Sequence, residues 1–498
     1  MFESTEKKCK QSSLTMSLWS VLHKSPRFAA GRSRIGVIIV VILLLGVLLF
    51  FLKRFGMFGS GVRRPPELFS IFYTCDTSGH IEPCGCVGGM AGGISRRQTY
   101  LAGSSIQDYL LVDAGDVTAG HRPWEILELE YILKGYEKMG YHAVNIGHRE
   151  LLISYEELMK LKAQYSQFVS ANLLGPEGQL VFEPYVVTEL SNGYRCGIIG
   201  ILDDNIHSDE MGQGLSVTPP AEALAKNLPE LKNQTDYIVL LAFADKDTIK
   251  KLAQQFFEID VIIGGDVQQA TTMPMKQNQS IVVLNTDKGK NVGRLDIRFT
   301  KEDDWKYDNE MFVVKETMER DVQLAQLVED YKMQLKEREF HPLKDDEEGL
   351  SAISAVRSKN ADTYVGPESC EECHVSAYKI WEESKHAEAF KALSEKNDHY
   401  NPKCLICHTV GYMASDGYLS RELTPKLKDV SCEACHGRGD HHVKLESDQE
   451  VTIDQLGMKL TDCITCHDEE NSPEFNEDEY WEKITHGLDE EVEVVTTE

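Results

Sequence analysis

Four copies of the pentapeptide Cys-x-x-Cys-His lie within 98 residues near the end of this chain, and no other feature limits so sharply what it can fold into. They are Cys370-Cys373-His374, Cys404-Cys407-His408, Cys432-Cys435-His436 and Cys463-Cys466-His467. Their starts are 34, 28 and 31 residues apart, so they form no strict repeat. Two thiols at this spacing can each form a thioether to one vinyl group of a haem, with the adjacent imidazole ligating the iron. Paired Cys-x-x-Cys also binds zinc, but a zinc ribbon does not need His after every second Cys. The expectation is four covalent haems, with His374, His408, His436 and His467 as proximal ligands. So short a segment cannot build an ordinary core around each macrocycle, so the haems must themselves be the core, close enough to exchange electrons. Each iron needs a sixth ligand or is left open. The other His of this region are His386, His399, His441, His442 and His486.

The 498 residues are enough for two or three domains. Eight of the 13 Cys belong to the motifs, leaving Cys9, Cys75, Cys84, Cys86 and Cys196, too few for a disulfide scaffold. Residues 35–52 form an uncharged apolar run of 18, bounded by Arg32 and Arg34 before and Lys53 and Arg54 after. That length spans a bilayer with little slack. The preceding 34 residues carry seven Lys or Arg against two Glu, which leaves the N-terminus in the cytoplasm. A cleaved signal peptide is the rival, but its n-region would be long and no small-x-small site follows. The expectation is a single-pass signal anchor in a bacterial inner membrane, with everything from Phe55 onward periplasmic or otherwise extracytoplasmic, where c-type haem is attached.

The net charge of −28 is uneven: residues 341–498 hold 36 acidic against 15 basic side chains, a net of −21. Such a module disfavours nucleic acid, and either steers a basic redox partner or presents a solvated surface.

A Gly/Pro/Arg tether (residues 53–66) follows the span. From 67 to 300 short apolar strands alternate with amphipathic helices, implying an α/β domain. Strand candidates are 68–74, 109–113, 143–146, 196–201, 237–242, 261–264 and 281–284. Helices are expected over 126–139, after Ser154 with a Ser154/Glu157 capping box, and from Pro219-Pro220. Residues 301–363 read as a charged helical linker, helical over 311–339. The haem segment covers 364–489, and 490–498 is an acidic tail.

Residues 364–486 resemble the tetrahaem cytochrome c family typified by the electron acceptor of hydroxylamine oxidoreductase in nitrifying bacteria. The likeness rests on the stretch from Tyr364 to Cys370, on Trp381 with Ser384-Lys385-His386, and on the stretch from Asn401 to Gly411. It continues through Cys432 to Gly437, Asp440-His441-His442, Cys463 to His467, Asn471-Ser472-Pro473 and Lys483 to His486. The resemblance implies a mostly helical module with His386, His442 and His486 as distal ligands. His441 is the alternative to its neighbour His442. The second haem, on His408, would be left open, and His399 or His441 are the rivals for that position.

Residues 67–300 resemble the metallophosphoesterase sandwich domain of periplasmic 5′-nucleotidases. The motifs are Tyr73 to Asp76 with Gly79-His80, Gly92 to Arg97, Leu111 to Asp116, Val144 to Gly147 with Glu150, Ser170-Ala171-Asn172, and Val261 to Gly265. In that family two divalent metals are held by Asp-x-His, Gly-Asp, Gly-Asn-His-Glu, a lone His and Gly-His-x-His. Here Asp76 and Asp116 stand at matching positions. Ser78, His148, Arg149, Phe243, Asp266 and Gln268 depart from the pattern. Two unchanged ligands cannot make a dinuclear, water-activating site. A one-metal site from Asp76, Asp116, His148 and Asp266 is the remaining metal candidate. Cys84 and Cys86 follow the first strand, with Cys75 at its end, at the edge where α/β folds bind ligands. These three thiols are candidates for a soft metal, a redox-active pair or a structural disulfide. Cys196, inside a strand, reads as core.

The leading expectation is a membrane-anchored periplasmic electron carrier with redox protein partners. An oxidoreductase acting at an open haem or at Cys75/Cys84/Cys86 is the alternative. Phosphohydrolase activity is a third reading, which the lost ligands argue against.

Overall fold

Strands covered on both faces read as near-continuous apolar runs, and such runs form the inner strands of two six-stranded sheets here. The computed structural model describes residues 63–83, 90–206, 211–300, 304–341, 363–444, 461–468 and 471–486. Its strands are β1 (Leu68–Thr74), β2 (Tyr109–Asp113), β3 (Ala143–Asn145), β4 (Phe168–Val169), β5 (Leu173–Leu174), β6 (Tyr185–Glu189) and β7 (Arg195–Leu202). They continue with β8 (Ser216–Val217), β9 (Tyr237–Phe243), β10 (Val261–Gly265), β11 (Met275–Gln277), β12 (Ser280–Leu284), β13 (Asn291–Phe299) and β14 (Trp305–Val313). One sheet runs β14-β13-β1-β2-β3-β4, the other β11-β12-β10-β9-β7-β6. In the first, β1 to β4 are parallel and β13 and β14 return antiparallel. In the second, β7, β9, β10 and β12 are parallel, with β6 and β11 antiparallel at the edges.

The period of two along β9 shows how the layers form. Tyr237, Val239, Leu241 and Phe243 belong to the core shared with Phe69, Ile71 and Tyr73 of β1, between the sheets. Ile238, Leu240 and Ala242 belong to the core beneath the helices Pro220–Gln234 and Lys246–Gln255. Each such side chain contributes about 1.5–3 kcal/mol by leaving water. Phe69 and Tyr237 meet edge to face at 5.3 Å across the layer. Helix starts are capped by side-chain oxygens that satisfy free N–H groups: Ser154 accepts from Glu157 N at 3.3 Å and Asp245 from Thr248 N at 2.7 Å.

The charged linker expected over 301–363 is corrected in its first part. β14 pairs with β13 along its length, extending the first sheet beyond residue 300. Helix begins only at Val322 and runs to Arg338, capped by Asp321. Trp305, Tyr307, Asn309 and Met311 turn inward while Lys306, Asp308 and Glu310 face solvent, so an edge strand lies beneath the charge.

The haem-motif segment is mostly short helices, among them Val375–Glu382, Ala389–Glu395, Pro402–His408, Cys432–His436, Asp440–Lys444 and Glu477–Trp481. Phe390, Leu393, Leu405, Val410, Tyr412, Tyr418 and Leu427 form its small apolar core. It packs against the N-terminal region in one compact body. Tyr412 Oη donates to the Phe340 carbonyl at 2.8 Å, and Lys332 pairs with Asp398 at 2.9 Å. The expected span 35–52, Cys9, Cys84, Cys86 and the tail 490–498 lie outside the described residues. No helix among the described residues is long and apolar enough to cross a membrane.

Candidate functional site

Three histidine pairs define the C-terminal site. The ring centroids of His374 and His442 are 5.9 Å apart, those of His386 and His467 6.0 Å, and those of His436 and His486 5.9 Å. Two imidazoles bonding one metal atom from opposite sides, at about 2 Å each, put their centroids roughly 6 Å apart. Every pair joins one motif His to one His from outside the motifs, so the residues present fit a haem iron ligated on both faces. The structure places His442, not its neighbour His441, beside His374. His399 is not opposite any motif His; it packs between Phe390 and Tyr400, at 5.9 and 4.1 Å.

The rings are also oriented. His408 Nδ1 donates to the Ala389 carbonyl at 2.7 Å and His486 Nδ1 to the Ile484 carbonyl at 2.8 Å, while His467 Nδ1 lies 2.9 Å from Ser472 Oγ. A proton fixed on Nδ1 leaves the Nε2 lone pair for a metal. Burial holds His386, His436 and His467 below the ordinary imidazole range, as the neutral ligating form. Cys370 lies within hydrogen-bonding reach of Cys432 and Cys407 of Cys466, bringing the first motif to the third and the second to the fourth.

His408 differs from the other motif histidines. Among the described residues no second imidazole is paired with it at the 6 Å spacing. It lines a cavity of about 820 Å³ that also contains Cys404, Cys407, Cys463, His386 and His467.

A second site lies at the carboxyl ends of the sheet strands. Asp76, Ser78, Asp116 and Asp266 all adopt left-handed backbone, with φ of 51°, 49°, 58° and 55°. Such conformations persist only where the surroundings enforce them, and they cluster at ligand-binding edges. Gly115, at φ 122°, passes so close to Gly147 that a Cβ would meet its nitrogen at 2.9 Å, and this brings Asp116 against Arg149. Arg149 Nε is 3.6 Å from Asp116 Oδ2, its Nη1 is 4.0 Å from Asp76 Oδ1, and Nη1 also donates to Ser78 Oγ. His148 turns its ring to Phe243 at 4.9 Å. The expected one-metal set of Asp76, Asp116, His148 and Asp266 is therefore corrected. No group of three or more His, Cys, Asp or Glu is arranged to hold a metal ion among the described residues. The guanidinium occupies the approach to both aspartates.

Beneath this edge lies a polar network that the sequence motifs marked but did not explain. Arg97 is fully buried, donating to Tyr136 Oη at 2.9 Å, Tyr141 Oη at 3.1 Å and Thr77 Oγ1 at 3.2 Å. Asp113, also fully buried, accepts from Thr74 Oγ1 at 2.6 Å, Tyr136 Oη at 2.9 Å and Gly115 N at 2.9 Å. Their only sequence signal is membership of the Gly92 to Arg97 and Leu111 to Asp116 motifs. Cys75 is buried with its Sγ 3.5 Å from the Gly115 carbonyl. Burial, and then the charges of Asp113, Asp76 and Asp116, push its thiol well above the usual range, so it is protonated and weakly nucleophilic. Cys196 is fully buried in β7.

Residues 369–437 match the family model described as cytochrome c554 and c-prime. The N-terminal region is similar to the 5′-nucleotidase of Vibrio cholerae, at 26% identity over 227 residues, 38% of this chain and 41% of that protein. It is also similar to the protein UshA of Yersinia enterocolitica, at 23% identity over 243 residues, covering 41% and 43%. The chain thus spans about two fifths of the length of the curated relatives it matches. Among solved structures, a 5′-nucleotidase precursor from Thermus thermophilus aligns with a TM-score of 0.46 and 22% identity, covering 54% of this chain and 59% of that one. This chain joins, in one polypeptide, a C-terminal segment that matches the cytochrome c554 and c-prime family to an N-terminal region similar to 5′-nucleotidases.

Proposed function

We propose that this chain is an electron-transfer protein holding four covalent haems, anchored by residues 35–52 in a bacterial inner membrane with both folded modules outside the cytoplasm. The observation that supports this reading most strongly is the set of three histidine pairs near 6 Å, each combining a motif His with a distant one. Haem iron held between two imidazoles supplies one-electron exchange without bond making. The chain's own residues orient the His408, His467 and His486 rings through Nδ1, and burial keeps His386, His436 and His467 neutral. Cys370, Cys373, Cys404, Cys407, Cys432, Cys435, Cys463 and Cys466 would carry the thioethers. The acidic surface of residues 341–498 suits a basic redox partner and disfavours nucleic acid. Expression with a cytochrome c maturation system tests this directly: the holo-protein mass should correspond to four haems per chain, in the membrane fraction. A mass with fewer haems under full maturation overturns the assignment.

A second reading, an oxidoreductase acting on a small molecule at His408, is favoured by the lack of a paired imidazole there. Turnover by the purified, loaded protein distinguishes it from a carrier. A role for the Cys75/Cys84/Cys86 thiols in such chemistry is opposed at Cys75 by its burial. Phosphoester hydrolysis is opposed by Ser78 and Phe243, where the resembling family carries metal-binding imidazoles, and by Arg149, where it carries its catalytic His. Cleavage of nucleoside monophosphates that vanishes in Asp116→Ala would restore it.

A further inference from the structure

We propose that Arg149 is a built-in cation that has taken the place of the divalent metals implied by the nucleotidase-like fold, turning a metal site into a permanently closed hydrogen-bonded ring. The inference is independent of the electron-transfer reading. It rests on the partner that each carboxylate oxygen has. Asp76 Oδ1 accepts from Ser78 Oγ, and Oδ2 accepts from Thr286 Oγ1 at 3.1 Å. Asp116 Oδ1 accepts from the Arg149 backbone N–H at 2.9 Å, and Oδ2 faces Arg149 Nε at 3.6 Å. Glu150 is spent on the backbone: Thr118 N donates to Oε1 at 2.8 Å, and Gly147 N and Asp116 N donate to Oε2 at 2.8 and 3.1 Å. Arg149 Nη1 closes the ring by donating to Ser78 Oγ. A divalent ion would have to displace these donors, and the adjacent imidazole, His148, presents its ring to Phe243.

The frame around this ring is that of an ion-binding edge. The left-handed residues Asp76 and Asp116 both bring a carboxylate to the Arg149 guanidinium, and a cation beside two carboxylates favours their charged forms. A divalent ion supplies that charge reversibly and can polarise water. A guanidinium supplies it permanently, because it does not deprotonate in a protein, and its planar fork of donors suits two acceptors at once. The edge therefore keeps its shape with no ion and has no means of activating water.

The experiment uses the full-length, haem-loaded chain. After equilibration with manganese or zinc and gel filtration, elemental mass spectrometry should find neither metal above background. The thermal midpoint of the N-terminal module should not move with a chelator. The double variant Ser78→His/Arg149→His, which removes the guanidinium and returns two imidazoles, should retain about one manganese or zinc per chain, and its midpoint should rise when the metal is added. Native protein that holds metal in a manner abolished by Asp116→Asn overturns the proposal, as does a chelator-induced drop in the native midpoint. A folded double variant that binds no metal overturns it equally, since Arg149 would then not be what excludes the ion. If the double variant fails to fold, Arg149→Lys serves instead: it keeps the charge and should stay metal-free, and metal uptake by it refutes the proposal.

Discussion

Lys403 places its ammonium 2.7 Å from Glu128 Oε2 and 2.9 Å from the Gly79 carbonyl. Lys403 immediately precedes Cys404, Gly79 follows Ser78, and Glu128 is almost wholly buried. A single side chain thus ties the second haem motif to the loop that carries the closed carboxylate ring. Burial pushes the Glu128 carboxyl above its usual range, and Lys403 is the strongest influence holding it down. Lys403→Met should therefore cost about 2 kcal/mol, most of it from leaving Glu128 unpaired. Adding Glu128→Gln should recover part of that loss, a coupling that thermal unfolding of the four variants measures. Limited proteolysis should cleave between the modules faster in Lys403→Met than in the native chain.

The His436–His486 pair gives a spectroscopic prediction. His486→Ala should leave the haem count unchanged by mass, because thioethers and proximal His are untouched. Electron paramagnetic resonance of the oxidised protein should gain one high-spin signal beside the one expected at His408. His399→Ala should change neither, since His399 faces Phe390 and Tyr400. Four low-spin signals in the native protein would assign a sixth ligand to His408 and exclude small-molecule binding there.

Arg97 and Asp113 are buried opposite charges linked through Tyr136, whose hydroxyl accepts from the guanidinium and donates to the carboxylate. Arg97→Met removes one partner and strands a fully buried carboxylate, so the N-terminal module should lose about 3–5 kcal/mol. Denaturant unfolding followed by Trp fluorescence should show it. Arg97→Lys should recover little, because one ammonium cannot reach both tyrosines and Thr77 in the same geometry.

Asp260 accepts from the Ile238 backbone N–H at 2.7 Å, and burial raises its carboxyl to about 6. In the unfolded chain the same group titrates near ~3.9. Between these values the folded chain binds a proton that the unfolded chain does not, so this group's contribution to stability falls as pH rises from about 4 to 6 and is gone above. Asp260→Asn keeps the acceptor and removes the charge. It should be near neutral at acid pH and stabilising by about 1–2 kcal/mol at pH 8, as read from thermal unfolding at both pH values.

How much of this was legible beforehand depended on burial. The strands β1 and β2 are mostly apolar and almost wholly buried, and their bounds can be read from the sequence alone. β14 could not be read in the same way, because its outward Lys306, Asp308 and Glu310 mask a period of two. The motif histidines announce themselves through adjacent cysteines, whereas the partners of each pair were accessible only through family likeness. Nothing local to His442 distinguishes it from His441; only the fold turns one of them toward His374. Arg149 was legible as a departure from a motif. The destination of its guanidinium depended on Gly115, Gly147 and left-handed Asp116, which no spacing rule describes.

On the four-haem reading proposed above, the three histidine pairs also set an order of events during maturation. Each pair closes a loop of roughly 50 to 80 residues, long enough that bringing its ends together is entropically unfavourable until something links them. The loops overlap: His386 and His436 both lie between His374 and His442, and His467 lies between His436 and His486. Thioether formation needs only a local pentapeptide and can proceed as the chain emerges. Axial closure must wait for residues made much later, and closing one loop shortens the search for the next. The segment is thus fastened pair by pair in chain order, and an interruption before His486 would leave His436 alone without its partner while the other two pairs can still close.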